Sequence, residues 1–258
     1  MAIVIYGEKE IVSLRQGGKL LAEILGELAR MTAPGVSTAN LDAHAEKRMR
    51  DAGGAPSFKG YKAGGNVPFN GTVCTSINHE VVHAPPYPGR TLKEGDIISL
   101  DIGMRYEGLC TDMAVTVPVG KVPEKALRLI RVTRDSLLAG VENVRPGGKI
   151  RNIGKAVQAV VESGGFGVVR ALVGHGVGHA VHEDPQVPNF DDPDSPKVVM
   201  KKGMVLAIEP MVTEGSWEVE MARDQWTIFT QDRRLAAHWE VTVAVTEDGY
   251  EILTPLPV

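Results

Sequence analysis

Four acidic residues stand inside runs of apolar residues of the kind that form buried strands. They are Asp101, Asp112, Glu209 and Glu240. An ionised carboxylate in a protein interior is costly unless a partner offsets its charge. No Lys or Arg occurs in residues 106–120, in residues 203–222 or after Arg234, so nearby partners in the sequence are scarce. Any one acid alone is better explained as an edge-strand residue facing water, but a shared divalent cation is the simpler explanation for all four.

Two short segments hold most of the histidines, which are His79 and His83 in the first and His175, His179 and His182 in the second. His175 directly follows an apolar run and lies between glycines, which let the backbone approach a bound group closely. An imidazole combined with carboxylate oxygens suits Mn, Fe, Co or Zn, and two such ions side by side serve aminopeptidases and phosphatases. The pattern therefore favours a hydrolytic metal centre.

Other interpretations of the histidine-rich segment are weaker. The spacing of His175 and His179 matches a helical zinc motif, but the intervening Gly-Val-Gly is a poor helix and lacks the required Glu. The same glycines resemble a dinucleotide-binding turn, yet Pro185 and Pro188 leave no room for the helix that receives the pyrophosphate. Neither a Gly-x-Ser-x-Gly elbow nor a P-loop occurs, which disfavours serine hydrolases and nucleoside triphosphatases.

The composition is that of an ordinary globular protein. The 258 residues are 43% hydrophobic and 23% charged, with a formal net charge of -4, which gives no reason to expect nucleic-acid or membrane binding. The two cysteines do not suggest a disulfide framework. The apolar start of the chain is too short for a signal peptide, and no apolar run approaches the roughly 20 residues of a membrane helix. We therefore expect a cytoplasmic protein.

Hydrophobic periodicity predicts one α+β domain over residues 1–258. Apolar spacing and Pro or Gly stops predict four helices, at residues 8–31, 37–52, 123–145 and 153–163, and a Gly-rich loop follows at residues 60–71. Strands are predicted at residues 73–77, 97–102, 110–119, 168–173, 204–208, 225–230 and 238–245. The pattern repeats in two halves, 8–121 and 122–250, which predicts a pseudo-twofold antiparallel sheet backed by two helix pairs.

The repeat also orders the candidate site. The first half supplies His83, Asp101 and Asp112 in that order, and the second half supplies His182, Glu209 and Glu240. Each half would thus place one histidine and two carboxylates near the pseudo-twofold axis. His175 is the additional ligand.

With these residues assembled, the chain resembles the type I (bacterial-type) methionine aminopeptidases over nearly its whole length. The matching segments include Pro34-Gly-Val-Ser-Thr38, Val73-Cys-x-Ser-Ile-Asn78, Glu80-Val-Val-His83, Gly95-Asp-Ile-Ile-Ser-Leu-Asp101, Gly174-His-Gly-Val-Gly178, His182-Glu-x-Pro-Gln-Val187 and Ile208-Glu-Pro-Met211. The resemblance implies the creatinase-like "pita-bread" fold. It also implies removal of the initiator methionine from nascent proteins and peptides with a small second residue, by attack of metal-activated water.

Site roles follow from the same resemblance. Two divalent ions (Co, Mn, Fe, Zn or Ni) would be held by Asp101, Asp112, His175, Glu209 and Glu240, with Asp112 and Glu240 as bridges. Glu209 would also accept and pass on a proton, His182 would stabilise the oxyanion, and His83 would bond the nitrogen of the scissile peptide. The pocket for the methionine side chain would be lined by Tyr61, Phe69, Cys74 and Trp226. The implied partners are nascent polypeptide N-termini, met at the ribosome, and we expect a monomer.

The chain departs from the family pattern around two site elements. His238-Trp239 precedes Glu240 where a Gln and an aromatic are usual, Val241 follows it where a His is usual, and Val181 replaces an aromatic. None of these changes removes a ligand. Alternative readings are an Xaa-Pro aminopeptidase or prolidase, which usually carries an extra N-terminal domain, and a non-catalytic binding homologue, which would lose ligands.

Overall fold

The structure, a computed structural model, describes residues 3–62, 67–194 and 197–257. Residues 63–66 of the predicted loop 60–71 lie outside the described residues. All four predicted helices are present: α1 Glu8–Met31, α2 Thr38–Asp51, α3 Glu124–Val141 and α4 Ile150–Ser163. The apolar stripe of α1 faces inward, with Leu14, Leu21, Leu25 and Leu28 buried. At the start of α2 the side chain of Ser37 accepts a hydrogen bond from the backbone N–H of Ala39, which satisfies an otherwise unpaired donor.

Fifteen strands occur among the described residues. They are β1 Ala55–Pro56, β2 Val73–Ile77, β3 Glu80–Val82, β4 Ile97–Tyr106, β5 Leu109–Pro118, β6 Gly167–Val168, β7 Gly174–Gly176, β8 Glu183–Val187, β9 Val205–Ile208, β10 Met211–Thr213, β11 Val219–Met221, β12 Ile228–Thr230, β13 Ala236–His238, β14 Val241–Val245 and β15 Tyr250–Ile252. Every pairing between them is antiparallel. The predicted α+β architecture is therefore confirmed.

The strands are divided among four sheets rather than joined in the one continuous sheet that the sequence suggested. The first half contributes β1, β4, β2 and β5, and the second contributes a five-stranded sheet of order β15-β14-β9-β7-β8. Two three-stranded sheets, β13-β10-β6 and β11-β12-β3, complete the set. An isolated bridge between Ala114 of β5 and Glu240 joins the two larger sheets. The predicted run 238–245 is interrupted there, because β13 pairs with β10 while β14 pairs with β9.

Two other strand predictions were too long. Of residues 168–173 only Val168 lies in a strand, because residues 171–173 line a cavity instead of pairing. Of residues 225–230 only Ile228–Thr230 forms a strand. Just before it the carboxylate of Asp224 accepts hydrogen bonds from the backbone N–H groups of Trp226 and Thr227, which holds a turn.

Each helix pair covers one of the two larger sheets. In the first half, apolar residues of α1 and α2 such as Leu25 and Leu41 pack with Leu100 and Val115 of the β4–β5 hairpin. In the second half, α3 and α4 pack against β9 and β14. The two predicted helix pairs are thus present. Among the described residues, no helix combines the length and apolar character that a membrane crossing requires.

Candidate metal centre and substrate pocket

Strand register places the acids of both halves on one face. In the β4–β5 hairpin Asp101 pairs with Ala114, and Gly103 pairs with Asp112. Because directly opposite residues and alternate residues of a strand share a face, the two aspartates lie diagonally beside each other. Ala114 pairs with Glu240 on its other side. Its small side chain therefore stands between carboxylates of the first and second halves.

The second half brings its ligands in through the strand β9. Glu209 directly follows this strand, whose neighbour β7 carries His175 opposite Ala207. Nε2 of His175 lies 3.3 Å from Oε1 of Glu209, and Nε2 of His238 lies 3.5 Å from Oε2 of the same carboxylate. The five predicted metal ligands therefore come from the ends and middles of neighbouring strands.

Possible ligand atoms converge in two overlapping groups. One atom each of Asp112, His175 and Glu240 lie within 4.8 Å of one another, as do atoms of Glu209, His238 and Glu240. All four carboxylates are almost entirely buried, with 6% of Asp101, 4% of Asp112, 7% of Glu209 and 2% of Glu240 exposed. This spacing is short enough for several of the atoms to share one ion or to bridge two.

The buried acids repel one another. Burial and the charge of Glu209 raise the pKa of Asp101 to about 6, and burial raises the pKa of Glu209 to about 8. The pKa values of Asp112 and Glu240 are raised well above their ordinary range by burial and the neighbouring carboxylates. Burial also lowers the pKa of His175 to about 3, so its imidazole is neutral and able to donate a lone pair. Full ionisation of all four carboxylates is therefore unfavourable unless a cation offsets their charge.

The donor set fits a divalent cation. Oδ1 of Asp101, Oδ1 of Asp112 and Oε1 of Glu240 are buried without a hydrogen-bond partner, although buried oxygens of this kind are normally bonded. Carboxylate oxygens with a neutral imidazole are ligands for Mn, Fe, Co and Zn. A bound cation would offset the charges and satisfy these oxygens.

A cavity of about 470 Å³ opens on this cluster. Its walls include every residue named from the sequence as a ligand, catalytic group or pocket residue. Among the pocket residues, the rings of Phe69 and Trp226 meet edge to face at a centroid distance of 5.2 Å, and Nε1 of Trp226 donates to the backbone oxygen of Val67 at 3.1 Å. Cys74 is buried and pairs through its backbone with Asp101. The cavity thus combines an aromatic wall with the ionic cluster.

The two histidines that are not predicted ligands, His83 and His182, come from different halves of the chain. His83 follows β3 with a positive φ of 60°, a conformation that is unfavourable for residues with a Cβ and concentrates at functional sites. Burial lowers its pKa to about 3, so it is neutral. His182 precedes β8, and its ring meets that of His175 at a centroid distance of 4.3 Å. Both therefore line the same cavity as neutral side chains.

Sequence reasoning missed several residues of the site. Phe58 and Met211 line the cavity, and neither was predicted to do so, because an apolar side chain carries no mark of chemical function. His238 is buried with neither ring nitrogen hydrogen-bonded. The position of His238 could have been predicted from the sequence, because side chains two residues apart on a strand share a face and Glu240 lies two residues later.

Thr242 supports the centre without lining it. Its hydroxyl donates to the backbone oxygen of Asp112 at 2.8 Å and accepts from the backbone N–H of Asp112 at 3.0 Å. The hydroxyl therefore ties the β5 strand of the first half to β14 of the second half, next to the candidate ligands.

Fold and site together are those of a candidate metal-dependent enzyme. Residues 12–247 match the model of metallopeptidase family M24, and the chain belongs to this family. The family implies dependence on divalent metal, in agreement with the carboxylate and histidine cluster.

Relatives that match over nearly their whole length show which group within family M24 this chain is similar to. The chain is 47% identical to the methionine aminopeptidase of Clostridium acetobutylicum over 98% of both chains, and 44% identical to methionine aminopeptidase 1 of Bacillus subtilis over 95% of this chain and 96% of that one. The crystal structure of methionine aminopeptidase from Rickettsia prowazekii superposes with a TM-score of 0.93 at 36% identity, covering 98% of this chain and 100% of that chain. The resemblance to type I methionine aminopeptidases and the pita-bread fold are thereby confirmed.

A more distant likeness shows the fold alone. The prolidase from Pyrococcus furiosus superposes with a TM-score of 0.77 at 20% identity, and the match covers 98% of this chain but 65% of that chain. The high-identity relatives therefore favour the methionine aminopeptidases over the prolidases.

Proposed function

We propose that this chain releases the N-terminal methionine from polypeptides whose second residue is small. The observation that carries the proposal is a cluster of four buried carboxylates and the largely enclosed imidazole of His175, in the same cavity as an aromatic pocket. Nascent polypeptide N-termini are the proposed substrates, met in the cytoplasm by a monomeric enzyme at the ribosome. Residues 1–258 would act as one catalytic domain, since the ligands come from both halves.

Two divalent ions are proposed to occupy the cluster. Asp101 would hold one, His175 and Glu209 the other, and Asp112 and Glu240 would bridge them. The convergence of Asp112, His175 and Glu240 within 4.8 Å supports the bridging assignment, as do the unpaired oxygens of Asp112 and Glu240. Co, Mn, Fe, Zn and Ni all suit this mixture of oxygen and nitrogen ligands. When bound, such ions activate water as a nucleophile and polarise the scissile carbonyl.

The protein side chains would orient the peptide and move the proton. Glu209 lines the cavity, and its carboxylate would accept the proton of the attacking water and pass it to the leaving amine. His182 would donate a hydrogen bond to the carbonyl oxygen, where negative charge develops. His83 would bond the peptide nitrogen and fix the direction of the chain. The pKa values of both histidines are lowered, and the resulting neutral rings are consistent with these hydrogen-bonding roles.

The aromatic pocket would receive the methionine side chain. An unbranched thioether fits an apolar cavity and makes favourable contacts with ring edges. Phe69, Trp226, Tyr61 and Cys74 all line this cavity, and Cys74 pairs through its backbone with Asp101. The second residue of the substrate would lie closer to the opening.

The proposal is tested with purified protein that has been stripped by chelation and reloaded with Mn, Co, Fe, Zn or Ni. We expect release of methionine from Met-Ala-Ser in at least one metal form. His175→Ala and Glu209→Ala should each lower kcat/KM by more than about 100-fold, since even the supporting partners of metal ligands are worth about 10–100-fold.

A matched control is His44→Ala, because His44 bonds Glu27 on the helix pair and lies outside the cavity. This variant should retain wild-type activity. Preferred cleavage before proline in an Ala-Pro peptide would instead support the hypothesis of an Xaa-Pro aminopeptidase or prolidase. Absence of cleavage with every metal would support a non-catalytic homologue.

A further inference from the structure

The phenol of Tyr61 contacts the ring of His182. Oη of Tyr61 lies 2.6 Å from Nδ1 of His182, and the two rings meet at a centroid distance of 5.2 Å and an interplanar angle of 66°. This distance is that of a short, well-formed hydrogen bond. Tyr61 therefore does more than add apolar surface to the pocket wall.

Hydrogen bonds hold the backbone of Tyr61 and the residue that follows His182. The N–H of Tyr61 donates to the backbone oxygen of Phe58 at 2.8 Å, and its carbonyl accepts from the N–H of Phe69 at 2.9 Å. On the other side, the carboxylate of Glu183, next to His182, accepts hydrogen bonds from the hydroxyl of Tyr6 and the backbone N–H of Ala180. These bonds anchor the backbone segments that carry the two side chains.

The hydrogen bond restricts the protonation pattern of the imidazole. A neutral histidine has one N–H donor and one acceptor nitrogen, and the bond made by one nitrogen decides the state of the other. Burial raises the pKa of the Tyr61 hydroxyl, so the phenol keeps its proton and can donate it to Nδ1. If the phenol donates to Nδ1, the ring proton must sit on Nε2.

We propose that Tyr61 is a positioning residue that donates its hydroxyl proton to Nδ1 of His182 and so holds the tautomer with the proton on Nε2. This is the tautomer that can donate to the carbonyl oxygen of the scissile peptide. The inference rests on the proposed function for its catalytic consequence. It links the pocket to the reaction, because a residue of the side-chain pocket then also orients the oxyanion donor.

Kinetics of Tyr61→Phe test the consequence, since this variant keeps the ring and removes only the hydroxyl. We expect kcat for Met-Ala-Ser to fall about 10–100-fold, the usual loss when a partner that orients a functional histidine is removed. KM should change less than about twofold. Tyr106→Phe is the matched control, because its hydroxyl bonds Gln16 away from the cavity. In a His182→Ala background Tyr61→Phe should cause no further loss, whereas independent, multiplying losses would overturn the inference.

The tautomer itself is read by nitrogen NMR of the Zn-loaded protein with labelled histidine. The signals of His182 are assigned by their loss in His182→Ala. We expect Nδ1 of His182 to be acceptor-type and Nε2 to be protonated in the wild type, with a mixture of tautomers in Tyr61→Phe. A protonated Nδ1 in the wild type, or an unchanged spectrum in the variant, would overturn the inference. Failure of the proposed function would appear differently, as a wild-type protein that releases no methionine while the tautomer readout stands.

Discussion

Nε2 of His238 lies 3.5 Å from Oε2 of Glu209 in the interior of the protein. His175 takes the same position relative to the other oxygen of that carboxylate, at 3.3 Å. Glu209 is therefore flanked by an imidazole on each side. One of these belongs to the predicted ligand set, and the other stands where the family resemblance predicted a glutamine.

Replacement of His238 tests whether this second imidazole steadies Glu209. We expect His238→Leu to lower kcat about tenfold, because a polar neighbour of a buried carboxylate is removed without opening a large cavity. His238→Gln should retain most of the activity, because the amide still offers a donor. Steady-state kinetics and metal content of both variants provide the measurement. Equal activity of the Leu and Gln variants would show that the imidazole has no such role.

Metal removal makes the stability of the protein depend on pH. The folded-state pKa of Glu209, about 8, exceeds its ordinary value of 4.5, so the folded protein binds more protons than the unfolded chain between these values. That stabilisation is present at low pH and is lost as the pH rises through 8. His83 and His175, whose pKa values are lowered to about 3, have the opposite effect on stability, but only below their ordinary pKa of 6.5. Between pH 7 and 9 the metal-free protein should therefore become less stable.

Urea unfolding of the chelated protein at several pH values checks this trend. The same series with Zn or Mn present is the control, because a bound cation keeps the acids ionised and should largely remove the dependence. A metal-free protein that gains stability from pH 7 to pH 9 would contradict the raised pKa values.

Tyr6 ties the N-terminal segment to the loop that carries His182. Its hydroxyl donates to Oε2 of Glu183 at 2.8 Å and accepts from the backbone N–H of His179 at 2.9 Å. Tyr6→Phe removes both bonds from a site that is 4% exposed. We expect it to lower the free energy of unfolding by about 1–3 kcal/mol, the usual cost of leaving buried polar groups without a partner.

Urea denaturation of Tyr6→Phe beside Tyr106→Phe measures this loss. The Tyr106 hydroxyl forms an exposed bond, so its removal should change stability by less than about 0.5 kcal/mol. Equal stability of the two variants would show that the Tyr6 hydroxyl does not hold the loop.

Thr242→Val removes the hydroxyl that joins the two halves at Asp112 while keeping nearly the same shape. Two hydrogen bonds to the backbone of Asp112 are lost in a fully buried place, so we expect a loss of about 1–3 kcal/mol in the free energy of unfolding. Metal affinity should weaken about tenfold, because the backbone that carries a bridging ligand becomes less fixed.

Calorimetric titration of Mn into stripped protein and urea unfolding provide the two measurements for Thr242→Val. Thr246→Val, in the turn after β14, is the matched control and should behave as wild type in both. Unchanged metal affinity in Thr242→Val would mean that the Asp112 backbone is held by the strand pairing alone.

Several features were predictable from local sequence because they depend on local physics. Helical spacing of Leu14, Leu21, Leu25 and Leu28 follows from the 3.6-residue period, and α1 buries them as predicted. Carboxylates within apolar runs are energetically anomalous wherever they lie, so Asp101 could be singled out without knowledge of its neighbours. The helices and the suspicion of a metal centre therefore needed no tertiary information.

The limits and pairings of strands were harder to predict from the sequence, because a strand is stabilised by partners far away in the chain. Residues 238–245 look like one continuous strand in the sequence. In the structure β13 pairs with β10 and β14 pairs with β9, and Glu240 lies between the two strands. The predicted strand 225–230 was likewise too long, because the hydrogen bonds of Asp224 hold its first residues in a turn. These features depend on long-range hydrogen bonds that no local window contains.

The sequence by itself determined the kinds of ligand, the helix pairs and, through family resemblance, the proposed reaction. Only the tertiary structure decided which atoms meet: Ala114 pairs with Asp101 on one side and Glu240 on the other, and Tyr61 reaches Nδ1 of His182 across 121 positions of the chain. The physical reason is that periodicity and propensity act within a few residues, whereas strand register and side-chain hydrogen bonds join segments that are distant in sequence.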